Sequence, residues 1–341
     1  MATALEIRDL CAPLVSILQR GDSFSKSEAA RALSRIAANP NHRAAVGRAG
    51  AIPPLVALAE GGDHLAKLNA LHTLSDLTRD DHDLRFAVFV AGAIRPLVVL
   101  LRSDDDLVKQ QAAGLLRNLA YGTTIESRTR LIKDSVAAAG AVPALIEIVK
   151  TGSELSKATA TATLANLANN HNDNKGLIAA AGVVPLIDLL RDGSDSCKQM
   201  AAQALRNLST RHSDNRVAIA AAGAIPLLVA AETGTHAGAK EHAAAMLYDL
   251  GFENVDNQVA IAKARGAEAL VRIARRGMIE TIWQGRVHSY PPSAGASERV
   301  ARLLAKRRVV MIRKILEDAL LPEIATYVVA PFLGRWGGSW P

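Results

Sequence analysis

A ten-residue phrase recurs along the chain at a nearly constant interval, and this constrains the fold more than any other feature. AGAIPPLVAL begins at Ala49, AGAIRPLVVL at Ala91, AGAVPALIEI at Ala139, AGVVPLIDLL at Ala181 and AGAIPLLVAA at Ala222, with a weaker copy, RGAEALVRIA, at Arg265. Their glycines, Gly50, Gly92, Gly140, Gly182, Gly223 and Gly266, lie 42, 48, 42, 41 and 43 residues apart. A chain of 341 residues with this self-similarity builds small units that bury a core by stacking on one another.

A second phrase follows each of the first five glycines: LSDL, LRNL, LANL, LRNL and LYDL. Its third residue, called position 0 below, is Asp76, Asn118, Asn166, Asn207 or Asp249. Arg35 in LSRI is position 0 of a glycine-free first copy that begins near Asp9, so six copies carry this core and a seventh opens at Gly266. Two places before position 0 every copy has leucine (Leu33, Leu74, Leu116, Leu164, Leu205, Leu247), and six places before it every copy has alanine (Ala29, Ala70, Ala112, Ala160, Ala201, Ala243). On a helix these positions share one broad face, where alanine lets a neighbouring helix approach and leucine fills the space between. The Gly-x-x-Pro phrase fits a helix end, a sharp turn and a helix with proline in its first turn. Each copy therefore predicts three helices, at residues 216–222, 226–231 and 237–250 in one of them, with clusters such as Ser213-Asp214-Asn215 as turns and N-caps. The long Gly92–Gly140 interval predicts a surface loop between Tyr121 and Asp134.

The period and both phrases resemble the armadillo repeat over residues 1–284. The resemblance implies an all-α, right-handed α-solenoid, a superhelix with three helices per repeat, whose third helices line a concave groove that binds extended peptide segments of other proteins. It carries a peptide-gripping role onto Asn118, Asn166 and Asn207, whose carboxamides offer a donor and an acceptor to a peptide backbone. A second reading of the same asparagines is that they tie adjacent repeats together. Asp76 and Asp249 replace asparagine with charge, while Gln203, four before position 0, and Gln111, seven before it, complete the expected groove floor. With an uncharged centre, this floor implies binding that depends weakly on salt. Nuclear-import receptors of this family carry tryptophan four before position 0; here Trp283, Trp336 and Trp340 all lie outside the repeats. Nine before position 0, six lysines (Lys26, Lys67, Lys109, Lys157, Lys198, Lys240) fall on the core side, where a lysine lays its stem over apolar surface and turns its ammonium outward.

Charge and composition bound the function. The net charge of +7 is concentrated after Gly285, which leaves the body nearly balanced and gives no reason to expect a nucleic-acid partner. Two cysteines, Cys11 and Cys197, in separate repeats read as reduced thiols, and Glu6, Arg8 and Asp9 interrupt the stretch where a secretory leader would be apolar, so a cytoplasmic chain, also compatible with the nucleus, is expected. No Walker A phrase, HExxH, nucleophile elbow or CxxC occurs. His171 and His212 recur at matching turn positions and read as surface turns, not metal ligands. The sequence thus predicts no catalytic residue, metal, cofactor or small-molecule substrate. Pro292 ends the seventh copy, so residues 285–296 read as a linker and 297–341 as a basic helix and tail, which caps the array, binds a partner protein or lies on a membrane surface. The expected function is a non-enzymatic scaffold or adaptor that binds extended segments of partner proteins; the rival readings are a substrate-binding adaptor of a ubiquitin ligase system, a nuclear transport receptor and a membrane-tethered scaffold.

Overall fold

The computed structural model describes residues 4–122, 127–233, 237–252 and 254–264. Every regular element among them is a helix. The chain divides into two compact units, the first ending at Leu208 and the second beginning at Ser209.

In the first unit, α1 (Ala4–Arg20) and α2 (Ser23–Ala37) form the glycine-free repeat. The second repeat is α3 (Pro40–Arg48), α4 (Ile52–Gly61) and α5 (His64–Thr78); the third is α6 (His82–Val90), α7 (Ile94–Leu100) and α8 (Asp106–Leu119). The fourth is α9 (Ser127–Ala138), α10 (Ala141–Thr151) and α11 (Glu154–Ala168), and the fifth α12 (Asn172–Asp192) and α13 (Asp195–Ser209). The second unit holds α14 (Ser213–Ala221), α15 (Ala224–Thr233), α16 (Ala237–Gly251) and the first helix of the seventh repeat, α17 (Val255–Lys263). The expected linker at 285–296 and the basic helix and tail at 297–341 lie outside the described residues.

The glycine turn forms where φ turns positive. Gly50, Gly92, Gly140 and Gly223 sit at φ 83°, 83°, 82° and 90°, the left-handed region that a side chain disfavours. The alanine after each of them, Ala51, Ala93, Ala141 or Ala224, is at most 2% exposed. The fifth repeat departs from three helices. Val183 stands where the others have that alanine, and an isopropyl group does not fit an alanine-sized pocket inside the turn. Gly182 accordingly stays helical and buried, and α12 runs through Pro185 as one helix of 21 residues.

The core columns stand as the sequence places them. All six leucines are at most 1% exposed and all six alanines at most 3%. The long helices α2, α5, α8, α11 and α13 carry these columns, and within the first unit α2 packs on α5, α5 on α8 and α8 on α11.

Three local expectations change. His212, not the Ser213-Asp214-Asn215 cluster, is the N-cap of α14: its ring accepts the Asn215 N–H at 3.4 Å and draws the cluster into the first helical turn. His171 does the same for α12 and is buried, not a surface turn residue. The extra residues before Gly140 are only partly loop, because α9 has 12 residues against 9 in α3, α6 and α14 and takes in residues 127–134.

Glycine conformation and core packing give separate expectations. Gly92→Ala has open space for its methyl, so its cost is conformational, about 1–2 kcal/mol. Gly182→Ala keeps a helical backbone and meets only the movable Ile146 side chain at 3.3 Å, so it should cost less than half as much. Leu164→Ala should cost about 2–5 kcal/mol. Urea denaturation of the three variants checks the order Leu164, Gly92, Gly182.

Candidate functional site

Each long helix turns one stripe away from its core. At 100° per residue, the positions four, seven and eleven before position 0 all fall within about 40° of it. In the first unit the stripe on α8 is Leu107, Gln111, Gly114 and Asn118, and on α11 Leu155, Thr159, Ala162 and Asn166. Packing of α5, α8 and α11 sets these stripes side by side.

The asparagines are held from one side. Asn118 Nδ2 donates to the Ser75 carbonyl at 3.1 Å, Asn166 Nδ2 to the Arg117 carbonyl at 3.0 Å and Asn207 Nδ2 to the Ala165 carbonyl at 2.9 Å. In all three the acceptor is the residue one before position 0 in the preceding repeat. The tie is therefore a repeating inter-repeat bond. Asn118 Nδ2 also donates to the Ser75 hydroxyl at 3.1 Å and lies 3.5 Å from the Thr78 hydroxyl, so both of its N–H groups are taken up inside the array, whereas Asn166 and Asn207 each keep a second N–H; all three keep Oδ1. Among the described residues no donor reaches these Oδ1 atoms, and all three side chains remain partly exposed.

Asp76 closes the corresponding interface with reversed polarity. Ser34, one before position 0 in the first repeat, donates its hydroxyl to Asp76 Oδ2 at 2.9 Å. Asp76 is 6% exposed and is also approached by His72 at 3.5 Å and Arg79 at 3.3 Å, so its charge is spent inside the array. Gln203 is exposed and Gln111 half-buried on the stripe. Asp249 belongs to the second unit, where it accepts from Thr210 at 3.5 Å.

Three further rows on the long helices bear on the site. The core-side lysines Lys26, Lys67, Lys109, Lys157 and Lys198 are half-buried, and Lys109 and Lys157 pair with Asp106 and Glu154 one turn earlier, each at 3.8 Å. Eleven before position 0 stands an apolar row that the sequence reading did not reach: Phe24, Leu65, Leu107 and Leu155, 73%, 53%, 48% and 62% exposed. At the other end of the stripe Arg35 and Arg117 are exposed and make no ion pair among the described residues. The apolar row was available from the sequence by carrying the helical spacing one turn further, and Arg117 by looking one residue before position 0, the position Arg35 itself holds.

A column of cations seven before the glycine was also overlooked: Arg43, Arg85, Lys133, Lys175 and Arg216. The first four are at most 5% exposed. Arg85 donates to the Thr78 and Arg79 carbonyls, both at 2.8 Å, and to the Tyr121 carbonyl at 3.2 Å, bridging the C-terminal ends of α5 and α8. Lys133 Nζ donates to the Asn169 carbonyl at 2.7 Å at the end of α11. In the second unit Arg216 donates to the Phe252 carbonyl. Unsatisfied carbonyls carry the negative end of a helix dipole, so a cation satisfies both bond and field.

Cys11 and Cys197 are buried free thiols whose pKa values burial pushes up, which keeps them protonated at neutral pH. Among the described residues no three His, Cys, Asp or Glu side chains cluster to hold a metal, and no single helix is long and apolar enough to cross a membrane.

Comparison with known proteins gives the same repeat. Residues 81–121 and 171–210 match the family model described as armadillo/beta-catenin-like repeat. No curated protein matches the sequence. Among solved structures, an engineered protein is 28% identical with a TM-score of 0.66, over 70% of this chain and 96% of that one. A designed armadillo repeat protein is 26% identical, also at 0.66, over 70% and 99%. Another, solved in complex with the peptide (KR)4, is 25% identical at 0.65, over 70% and 99%.

Burial holds the Lys133 ammonium at a pKa of about 8, against an ordinary 10.5. Below pH 8 the folded chain bears the full cost of a buried charge. Between pH 8 and 10.5 the unfolded chain binds more protons, so stability contributed at this site rises with pH. The difference in unfolding free energy, wild type minus Lys133→Met, should therefore increase across that window by up to about 3 kcal/mol, measured by urea melts at stepped pH.

Proposed function

We propose that this armadillo-repeat protein is a non-enzymatic interaction scaffold that captures extended segments of partner proteins along the stripes of its long helices. The observation that carries the reading is the row of three carboxamides, Asn118, Asn166 and Asn207, each anchored through Nδ2 to the preceding repeat and keeping its Oδ1 as an acceptor at the same register, with a second N–H also left at Asn166 and Asn207. A peptide backbone repeats one donor and one acceptor per residue, so a row of carboxamides grips it without requiring a particular side chain. The peptide complex of a designed armadillo repeat protein supports the same use of the fold. A cytoplasmic or nuclear setting goes with this reading, supported by two buried free thiols in separate repeats.

The anchoring bonds change what a groove variant should do. The triple variant Asn118→Ala, Asn166→Ala, Asn207→Ala loses three inter-repeat ties, at about 0.5–1.5 kcal/mol each, and three sets of partner bonds. Peptides selected on the wild-type chain from a displayed library of unstructured twelve-residue segments should bind the variant on the order of a hundredfold more weakly, while circular dichroism shows it still folded at assay temperature. Unchanged affinity together with a lowered melting temperature would reduce the asparagines to ties and move the binding surface elsewhere.

A further inference from the structure

The stripe has two chemically different edges. One is the apolar row Phe24, Leu65, Leu107 and Leu155, on the first turn of four successive long helices, α2, α5, α8 and α11. The other carries the guanidinium groups of Arg35, at position 0, and of Arg117, one residue before it, neither in an ion pair among the described residues. Eleven residues of helix separate position 0 from the apolar row, about 16 Å. Between the edges lie Asn69, Gln111 and Thr159, then His72, Gly114 and Ala162, a floor that is polar and, on α8 and α11, small.

Four large apolar side chains in one row, each about half exposed or more, cost free energy in water and gain it when covered. Just outside that row, Asp22, Asp63 and Asp105 cap the helices, accepting the backbone N–H of Ser25, Ala66 and Val108. Capping satisfies these carboxylates as acceptors and leaves their negative charge in place. The apolar edge is thus bordered by acid and the opposite edge by two arginines. Elsewhere on the stripe charge is already balanced: Arg31 pairs with Glu28, and Arg79 with Asp76.

We infer that the first unit binds an extended, acidic segment of a partner protein, with large apolar side chains on the Phe24–Leu65–Leu107–Leu155 row and carboxylates on Arg35 and Arg117. This rests on the peptide-capture reading above and names the chemistry of the partner. An extended backbone sends successive side chains to opposite sides, so a segment lying on the floor reaches both edges, each about 8 Å away. The acidic caps repel carboxylates from the apolar edge and so fix which side of the segment faces which edge. Basic segments are disfavoured because they meet unpaired arginines.

Three fluorescein-labelled twelve-residue peptides test this on the full chain by fluorescence anisotropy. The first has leucine or threonine at odd positions and glutamate or serine at even ones. The second replaces glutamate with lysine, and the third replaces leucine with serine. The first should bind at least about tenfold more tightly than either of the others, and its affinity should fall as salt rises. Leu65→Ser with Leu107→Ser should weaken it by about tenfold or more, and Arg35→Glu with Arg117→Glu by a similar factor, with the lysine peptide then gaining. All four residues are exposed, so both variants should melt close to wild type. Equal or stronger binding of the lysine peptide, indifference to both double variants, or no binding of any of the three overturns the inference. If peptides selected from the displayed library bind in a way that depends on the three asparagines but on neither edge, capture stands and the assigned partner chemistry fails.

Discussion

Everything in the first unit depends on how closely one long helix can lie against the next. The alanine column decides this: at Ala70, Ala112, Ala160 and Ala201 a side chain with no reach beyond Cβ is completely buried, and the leucines beside it fill the remaining space. Close approach puts short polar side chains within reach of a neighbouring backbone that already has helical bonds of its own. Thr73 donates to the Ala30 carbonyl and Thr163 to the Ala113 carbonyl, both at 2.9 Å, in equivalent positions of their repeats. The asparagine ties use the same closeness one turn later. A bulkier residue in the alanine column would lengthen all of these bonds at once.

The two ends of the long helices are handled by opposite charges. At the N-terminal end, the cap or its neighbour in one repeat bonds to the next: Ser23 to Asp63, His64 to Asp105 at 2.9 Å, Ser156 to Asp106 at 2.8 Å, and the Ser194 N–H to Glu154 at 3.2 Å. Each contact contains one carboxylate, whichever repeat supplies it. At the C-terminal end buried cations bridge the carbonyls of successive helices, as Arg85 does between α5 and α8. Acid at the positive end and cation at the negative end follow the helix field. On α8 and α11 this leaves the stripe between the two ends without a charged residue.

What could be read from the sequence was whatever one repeat shows by itself. The glycine turns, the leucine and alanine columns and the three-helix unit depend on local conformation and on one face of one helix, and they are legible in a single copy. Gly182 misled because its identity fits the turn while the residue after it, Val183, does not; the turn needs both. The cation column is not legible from apolar spacing, because a buried arginine satisfied by helix-end carbonyls has no apolar signature. The direction of the asparagine bond was illegible for a different reason. Its acceptor is a carbonyl in the preceding repeat, between 42 and 49 residues away, and nothing in the side-chain sequence marks one carbonyl from another.

That direction matters for the chemistry of the site. A carboxamide free to rotate presents donor and acceptor without a fixed sense. Once Nδ2 is held by the preceding repeat, Oδ1 is fixed as the remaining acceptor with the same sense at Asn118, Asn166 and Asn207, and at Asn166 and Asn207 a second N–H lies beside it. A row of oriented amides distinguishes the two directions of a peptide backbone, because N–H and C=O alternate with opposite polarity along it. Asp76 cannot join the row: it has no amide hydrogen to give to the preceding repeat, and the Ser34 hydroxyl reverses the bond and draws the carboxylate inward. The bond that fastens the repeats is therefore also the one that gives the exposed amides a common orientation, and the row begins at the first interface where asparagine makes it.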